Sequence, residues 1–238
     1  MLQVNLCNSG RAACYTGGRA VGMVMGLVHQ WRPGMLTLNE VCRDDVGVLK
    51  QAMSAAFPAA KVASAFASAR NDIGDGPVRC RNGQEFGDGV LVVERPSALG
   101  LRSNSGVYPV QDPGDFEQRA WVCLDVDGGF LACTTHTAST NATVALGQCR
   151  YLLASVVPGH DPRAGGHPVV VGADLNLTAR GAPSPEACLP SGYQRTDDGG
   201  VQDVIVGPGI RVPSRWVIDM RGTTDHPGLL VDVLISRR

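Results

Sequence analysis

The stretch HPVVVGADLNL at residues 167–177 constrains the fold more than any other part of the chain. Its three consecutive valines, residues 169–171, predict a short buried β-strand, because such β-branched runs are typical of strands covered on both faces. The strand is expected to stop at Gly172, and Asp174 and Asn176 follow it. An acid and an amide beside a buried strand end suit a hard cation or an attacking water better than they suit packing. The stretch therefore predicts a site at one edge of a sheet.

Strand and helix patterns alternate along the rest of the chain. Short apolar runs predict strands at residues 2–6, 35–38, 90–93, 121–126, 130–134, 201–206, 211–220 and 229–235. Helical spacing of apolar residues predicts three helices, which contain Val21 and Val28, Val46 and Met53, and Ala145 and Leu152. Residues 59–70 fit either type, residues 83–89 are predicted to be a loop, residues 95–118 a long surface excursion, and Asp127-Gly128-Gly129 a hairpin turn. No linker divides the chain, so a single domain of residues 1–238 is expected.

Composition excludes several classes of protein. Hydrophobic residues make up 44% of the chain and charged residues 18%, which argues against disorder. The formal net charge of −1 provides no overall basic field for nucleic acid, although local arginine patches can still bind it. No apolar run approaches the ~18 residues that a membrane-spanning helix needs. We therefore expect a globular protein with no transmembrane segment and no obligate protein partner.

The eight cysteines favour disulfide bonds over a zinc site. No pair has the CxxC spacing that is common in zinc ligands. An even number of cysteines spread along the chain is typical of proteins from oxidising compartments. Pairing of Cys7 with Cys14 is locally plausible, and a bond between Cys149 and Cys188 would tie a helix to a loop; eight buried free thiols are the alternative. We expect a secreted protein whose signal peptide is missing from this sequence.

Polar residues recur at the ends of the predicted strands. They are Asn5, Glu40, His136, Asp174, Asn176, Asp225 and His226. Each has a structural explanation when taken alone, but recurrence at comparable strand ends indicates one shared site. The oxygen atoms of Glu40, helped by Asn5 and Asp225, suit Mg²⁺, Mn²⁺ or Ca²⁺ rather than zinc. The two histidines and the remaining polar groups suit phosphoryl transfer, which needs an oriented water and donors to the phosphoryl oxygens.

The ordered motifs resemble those of the endonuclease/exonuclease/phosphatase superfamily, whose fold is that of deoxyribonuclease I. The motifs are Asn5, Leu38-Asn39-Glu40, Thr135-His136, Gly172-Ala173-Asp174-Leu175-Asn176 and Thr224-Asp225-His226. Together they span nearly the whole chain in the superfamily's order. The resemblance implies an α/β fold, namely a four-layer α/β/β/α sandwich of two packed, mainly antiparallel sheets.

The resemblance also implies roles at the metal and at the water. Glu40 resembles the principal metal ligand, with Asn5 beside it and Asp225 contributing. Asp174 resembles the residue that orients or deprotonates the attacking water, and Asn176 the residue that holds the phosphate. The implied cofactor is Mg²⁺, with Mn²⁺ or Ca²⁺ as alternatives.

Further roles concern the histidines and the substrate phosphate. His226, paired with Asp225, resembles the histidine that polarises the scissile phosphate, and His136 resembles the second histidine. Asp203 falls where many members keep an acid that supports a catalytic histidine. Arg119 falls near a position that often contacts phosphate, and Arg43 is a weaker candidate for that contact.

Three motif positions depart from the superfamily's usual residues. Asn39 replaces a glutamine, Leu175 replaces an aromatic residue and Thr224 replaces a serine. Asn39 is a shortened amide that is expected to keep its hydrogen bonds. None of the three changes removes a catalytic functional group, so activity is expected to be retained.

Several substrates are compatible with this fold. The chain lacks the aromatic cluster expected of a sphingomyelinase, and it contains only two lysines, Lys50 and Lys61, against an inositol phosphatase. A phosphate track is available from Arg70, Arg79, Arg81, Arg95, Arg102 and Arg119. We predict a secreted, divalent-metal-dependent phosphodiesterase, a nuclease of low sequence specificity that binds nucleic acid or another phosphoester. A phosphomonoesterase or phospholipid hydrolase remains an alternative, as does a disulfide-stapled binding protein with a vestigial site.

Overall fold

The computed structural model describes residues 1–71, 76–94, 101–126, 129–159 and 168–235. Some features named above lie outside these ranges, namely His167, Arg95, residues 95–100 of the predicted excursion, and Asp127 and Gly128 of the predicted hairpin turn.

Sixteen strands and three main helices are present in the described residues. The strands are β1 Leu2–Asn5, β2 Met35–Cys42, β3 Val62–Ser68, β4 Arg70–Asn71, β5 Phe86–Val93, β6 Leu101–Val107, β7 Glu117–Gln118, β8 Ala120–Val126, β9 Phe130–His136, β10 Val169–Asp174, β11 Gln194–Asp197, β12 Gln202–Val206, β13 Ile210–Arg211, β14 Arg215–Ile218, β15 Gly228–Val231 and β16 Leu234–Ile235. The helices are α1 Arg19–Trp31, α2 Arg43–Ala56 and α3 Ala142–Tyr151. The last helix continues through π-helical residues Leu152–Val156 into a final turn, Val157–Gly159.

Twelve of the strands form two six-stranded sheets. The first sheet has the order β14-β15-β1-β2-β5-β3, and the second has the order β11-β12-β10-β9-β8-β6. Each sheet contains one parallel pair, β1 with β2 and β9 with β10, and its other neighbours are antiparallel. The parallel pairs bring the carboxyl ends of β1, β2, β9 and β10 to one edge, since each sheet places two such ends side by side.

The sheets and helices form four layers. Helices α1 and α2 pack on the outer face of the first sheet, where Val24, Leu49 and Met53 are buried. Helix α3 and its continuation cover the outer face of the second sheet. A third apolar cluster, which includes Val90, Val122 and Val204, lies between the two sheets. This arrangement confirms the four-layer α/β/β/α sandwich and its mainly antiparallel sheets.

Local sequence signals account for the helix ends. Helix α1 ends at Trp31, where Arg32 takes the left-handed conformation before Pro33. Helix α2 begins after Cys42, whose backbone N–H donates to the side chain of Asp45 at 2.9 Å. Helix α3 begins after Asn141, whose side chain accepts hydrogen bonds from two backbone N–H groups of the first turn.

Strand β10 differs from its predicted end. It runs through Gly172 to Asp174, and Gly172 pairs with Thr134 on one side and Val204 on the other. A Cβ atom at Gly172 would lie 2.0 Å from Oγ1 and 2.8 Å from Cβ of Thr37 in the facing sheet. Glycine is therefore present because the two sheets approach closely here, and not because the strand ends.

Other boundaries also differ from the predictions. The ambiguous segment 59–70 contains strand β3, and the predicted loop 83–89 is wrong from Phe86 onwards because β5 begins there. The predicted excursion contains β6, and the predicted strand 211–220 is divided into β13 and β14. Gly87 and Gly89 explain why the start of β5 was predicted to be a loop. A Cβ at Gly87 would lie 1.9 Å from the carbonyl oxygen of Ala67, so β5 carries glycine there because β3 lies against it.

Four disulfide bonds join all eight cysteines. They are Cys7–Cys14, Cys42–Cys80, Cys123–Cys133 and Cys149–Cys188. Both pairings that the sequence suggested are present, and the alternative of free thiols is wrong. None of the helices in the described parts of the chain has the length and apolar character that crossing a lipid bilayer requires.

Gly172→Ala is expected to destabilise the protein. The new methyl group would press against Thr37, a β-branched residue with little rotamer freedom, and overpacking of this kind costs about 1–3 kcal/mol. Urea unfolding followed by circular dichroism measures the change. Gly147→Ala in helix α3 is the matched control, because nothing lies within 4 Å of the Cβ position at Gly147. This substitution is expected to stabilise the protein slightly, since alanine is more favourable than glycine in a helix by about 1 kcal/mol. Equal stability of Gly172→Ala and wild type would contradict the close approach of the sheets.

Candidate active site

Asn5 links a carboxylate from each sheet at the shared edge. Asn5 ends β1, Glu40 lies on the neighbouring strand β2, and Asp174 ends β10 of the second sheet. The Asn5 side-chain nitrogen donates to Glu40 Oε1 at 2.8 Å and to Asp174 Oδ2 at 3.0 Å. Glu40 has a φ of 54°, and the pairing of β2 with β5 shifts register between Leu38 and Val41. This bulge sets the direction of the Glu40 side chain.

The Asn5 side-chain oxygen is also engaged. It accepts a hydrogen bond from the backbone N–H of Cys7 at 3.0 Å, which fixes the orientation of the amide. The structure therefore makes Asn5 a bridge between Glu40 and Asp174. The metal-ligand role expected of Asn5 stays a prediction.

Asp174 is fully buried and accepts three hydrogen bonds from protein groups. Its Oδ2 accepts from Asn5 and from Gln202, the latter at 2.6 Å, and its Oδ1 accepts from the backbone N–H of Asn176 at 3.1 Å. Burial raises the pKa of Asp174, while His226 and these hydrogen bonds oppose that rise. A buried carboxylate with a raised pKa is a stronger base than an exposed aspartate.

His226 lies between two carboxylates. Its Nε2 is 3.7 Å from Asp174 Oδ2 and 3.8 Å from Asp225 Oδ1. The loop that carries both residues is tied to β1, because Thr224 Oγ1 donates to the backbone oxygen of Asn5 at 2.9 Å. The Asp225 side chain is half exposed, so it faces the solvent side of the site. The predicted neighbourhood of Asp225, His226 and Asp174 is present.

His136 and Asn176 complete the edge. His136 ends β9 next to Asp174 in register, and its Nδ1 is 2.8 Å from Nη1 of Arg119. Burial lowers the pKa of His136 well below the usual range, and the charges of Arg119 and His226 lower it further. A guanidinium only donates, so Nδ1 is the acceptor and the proton of the neutral ring lies on Nε2. Asn176 has a φ of 49° and donates from its side chain to the backbone oxygen of Thr137 at 2.9 Å.

Arg119 is fully occupied by protein groups, which corrects its predicted contact with phosphate. Its Nε and Nη2 donate to Asp115 at 3.0 and 2.7 Å, and Nη2 also donates to Ser139 at 3.1 Å. Nη1 contacts Glu117 at 2.5 Å and His136. A guanidinium has five N–H donors, so none remains for a substrate. Arg119 instead positions His136.

Asp203 also departs from its predicted role. It pairs in register with Ala173, whereas Gln202 pairs with Asp174, and successive residues of a strand face opposite sides of the sheet. Asp203 therefore lies on the helix-covered face, where its Oδ1 forms an ion pair with Arg195 and its Oδ2 has no hydrogen-bond partner in the described residues. The structure brings it to neither histidine. Burial raises the pKa of Asp203 well above the usual range.

A buried polar layer behind Asp174 contains residues that the motifs did not indicate. Gln3 donates to Asn39 at 2.6 Å and to Gln202 at 2.9 Å, and Gln202 donates to Asp174. Asn39 donates to Asp88 at 2.8 Å, so this shortened amide keeps the hydrogen bonds expected of it. Burial raises the pKa of Asp88 to about 8. Strand parity was the available signal, since Gln3 lies two residues before Asn5 on β1 and therefore shares its face, and Gln202 pairs in register with Asp174.

The donor set fits a hard divalent cation. Burial raises the pKa of Glu40, and the hydrogen bond from Asn5 opposes this rise. The negative charges of Asp174 and Asp225 raise the pKa further. Because these acids repel one another, a bound cation at this edge is favourable. In the described residues, only Cys7, Cys14 and Asp225 place three candidate ligand atoms within 4.8 Å of one another, and the disulfide removes both thiolates. Few protein ligands are therefore available. Mg²⁺ accepts one or two carboxylates with waters and a substrate phosphate, which matches this site.

Comparison with known proteins supports the fold. No family model matches the sequence, and no curated protein is significantly similar to it. The structure resembles an endonuclease/exonuclease/phosphatase from Beutenbergia cavernae, with a TM-score of 0.69 and 18% identity over 98% of this chain and 70% of that one. It also resembles the human Nocturnin catalytic domain with bound sulfate, with a TM-score of 0.70 and 13% identity over 99% and 93%. The 2′,3′-cyclic phosphatase ANGEL2, in complex with adenosine-2′,3′-vanadate, has a TM-score of 0.65 and 12% identity over 98% and 94%.

These similarities confirm the fold that the ordered motifs indicated, which is that of endonuclease/exonuclease/phosphatase proteins. The identities are too low to transfer an activity, which must be argued from the site itself.

Arg119→Met is expected to destabilise the fold by about 3–5 kcal/mol, because it leaves Asp115 and Glu117 buried without their cation. Burial already raises the pKa of Glu117 to about 7. Urea unfolding measures the change, and Arg102→Met, on the exposed surface of β6, is the control with an expected effect within about 0.5 kcal/mol. Equal effects of the two substitutions would show that the Arg119 cluster is not structural.

Proposed function

We propose that this protein, which has the endonuclease/exonuclease/phosphatase fold, is a secreted, divalent-metal-dependent phosphodiesterase that cuts nucleic acid with little sequence preference. The observation that carries the proposal is the Asn5 amide, which holds Glu40 of one sheet and Asp174 of the other at 2.8 and 3.0 Å. Two histidines flank these carboxylates at the same edge. A packed core does not need such a set of groups.

The cation would be held by Glu40, with Asp225 on the solvent side and with waters or substrate completing its coordination. When bound, Mg²⁺ supplies Lewis-acid polarisation of a phosphoryl oxygen. Glu40 is partly buried, and this burial raises its pKa. Asn5 keeps the Glu40 carboxylate in one orientation and so lowers the cost of arranging the site.

Asp174 is assigned to the attacking water. Its raised pKa gives it the basicity to accept a proton, and its three protein hydrogen bonds fix its direction. His226, with Nε2 at 3.7 Å from Asp174 Oδ2, lies where it can donate to a phosphoryl oxygen and exchange a proton with the aspartate.

The neutral His136 and Asn176 are assigned to the phosphate. Because Nδ1 of His136 accepts from Arg119, the N–H at Nε2 is available as a donor to a phosphoryl oxygen. Asn176 is held by Thr137 and has a second amide hydrogen to donate. Arg119 acts through His136, and we assign it no contact with substrate.

Nucleic acid is favoured over a membrane lipid because the stacked pair of exposed tryptophans in the described residues lies away from the site, and the exposed Tyr15 and Phe116 are single side chains on separate loops. Trp31 and Trp216 stack with ring centroids 6.1 Å apart and are exposed, but Trp31 ends α1, just before β2 begins. Trp216 is level with Leu230, which pairs with Leu2 at the start of β1. Both rings therefore lie at the opposite end of the strands from Glu40, and they do not border the site. The adenosine-derived ligand named for the ANGEL2 structure is consistent with a nucleotide substrate.

Secretion is supported by the four disulfide bonds, which are typical of oxidising compartments. A phosphomonoesterase or a phospholipid hydrolase with the same site is the second candidate, since the same groups would act on either ester.

Hydrolysis assays with plasmid DNA, RNA, a phosphoinositide and sphingomyelin, each with Mg²⁺ and with EDTA, test the function. Wild type is expected to cut nucleic acid only with the cation, and Asp174→Asn and His226→Ala are each expected to lower kcat by about 10²–10⁴-fold, because each removes a proton-transferring group. His29→Ala, on helix α1, is the control and should retain full activity.

Other outcomes are also decisive. Cation-dependent hydrolysis of a lipid alone would replace the nuclease with a phospholipid hydrolase. No hydrolysis of any of the four substrates, or full activity of both site variants, would contradict the enzymatic proposal.

A further inference from the structure

Two loops beside the site form one rigid unit. Residues 7–11 follow β1, and residues 78–84 precede β5. The backbone N–H of Arg81 donates to the oxygen of Ser9 at 2.8 Å, and Nε of Arg11 donates to the backbone oxygen of Arg79 at 2.9 Å. A Cβ at Gly10 would lie 2.7 Å from Cβ of Arg81, so glycine permits this close approach. The two loops therefore hold a fixed position relative to each other.

The two loops are also attached to β2, the strand that carries Glu40. The backbone N–H of Asn8 donates to the backbone oxygen of Glu40 at 2.9 Å. Cys80 is bonded to Cys42, which lies two residues after Glu40 on β2. The backbone of these loops is therefore held beside Glu40.

Three arginines of this unit, Arg11, Arg79 and Arg81, are exposed, and we name them the arginine surface. None of them forms an ion pair with a carboxylate of the described residues, because the neighbouring acids have other partners. Glu85 is paired with Arg43 and accepts from Ser68, and Asp45 accepts from Asn8 and Cys42. The charge of Arg79 still helps to lower the pKa of Glu85, after the larger effects of Ser68 and Arg43. Three exposed cations outside ion-pair distance of a described acid stand out on a chain whose formal net charge is −1.

The other arginines of the predicted phosphate track are placed differently. Arg119 is buried, and its donors are occupied by protein groups. Arg102 lies in register with Asp125 of β8, at the end of β6 that is remote from the site. Arg70 lies near the surface unit, bridged to Pro77. Of the predicted track, Arg79 and Arg81 therefore lie on the two loops, Arg70 lies beside them on β4, and Arg95 is outside the described residues. The structure adds Arg11, which the sequence did not indicate.

We propose that the arginine surface binds the phosphate backbone of a nucleic-acid strand beyond the bond that is cut. The route from Glu40 through Asn8 and Ser9 to Arg81 consists of two backbone hydrogen bonds, one Cα–Cα step of about 3.8 Å and the covalent bonds that join them, so the Cα atoms of Glu40 and Arg81 lie within about 17 Å of each other. A strand whose cut bond lies at Glu40 can therefore bring phosphates within about five nucleotides of that bond to the arginine surface, at about 3.4 Å per nucleotide along one strand. Three cations on two joined loops suit the successive phosphates of a polymer, which a phosphorylated sugar or a single nucleotide does not offer. The inference thus names a polymeric substrate, and it rests on the proposed phosphodiesterase activity.

The test compares Arg11→Ser/Arg79→Ser/Arg81→Ser with wild type. A strand of about 30 nucleotides is the long substrate, and its binding should weaken tenfold or more, with the salt dependence of log Kd reduced by about 2, since each lost phosphate contact contributes about 0.7. The kcat/KM for this strand should fall in parallel, while hydrolysis of bis(p-nitrophenyl) phosphate, a small diester, should not change.

Arg32→Ser/Arg102→Ser/Arg150→Ser is the matched control, because it removes the same charge from the residue after α1, from β6 and from α3, at positions remote from the site. Equal losses in the two triple variants would overturn the arginine surface in favour of a general charge effect. Unchanged binding of the long strand would overturn it as well. Absence of any phosphodiester hydrolysis by wild type would contradict the proposed function instead, and the binding comparison would still decide the present inference.

Discussion

The Asn5 amide joins the two halves of this protein. A single nitrogen donates to Glu40 on the first sheet and to Asp174 on the second, while the oxygen of the same amide is held by the Cys7 backbone. These contacts require the two sheets to keep a fixed separation at their common edge. Gly172 belongs to the same requirement, because it leaves room for Thr37 of the opposite sheet just before Asp174.

Burial of several acids explains how a weakly charged chain builds a polar site. Asp174, Asp88 and Glu117 are buried, and burial raises the pKa of each. Each is matched by amide or guanidinium donors, since an unpaired buried carboxylate would be strongly destabilising. The matching groups form two supports: amides behind Asp174, and Arg119 behind His136. Both supports orient side chains of the candidate site.

The motif residues could be found from sequence because their chemistry is unusual at strand ends. Glu40, His136, Asp174 and His226 meet at one edge as the ordered motifs indicated, and the four-layer fold followed from the resemblance. The partners of these residues were harder to predict. Asp203 was predicted to support a catalytic histidine because of its position in the superfamily's pattern. Its strand register turns its side chain instead to the helix-covered face of the second sheet. The occupancy of Arg119 depends on Asp115, Glu117 and Ser139, and only the folded loop brings these three to it.

Titration calorimetry with Mg²⁺ tests the central claim, that the bridged carboxylates form a cation-dependent site. Wild type is expected to bind the cation, and Glu40→Gln to lose that binding while it remains folded, because the amide keeps a similar shape without the charge. Glu94→Gln, away from the site at the end of β5, should bind as wild type does. Absence of binding in wild type, or equal binding by Glu40→Gln, would contradict the account and favour a binding protein that retains only the fold.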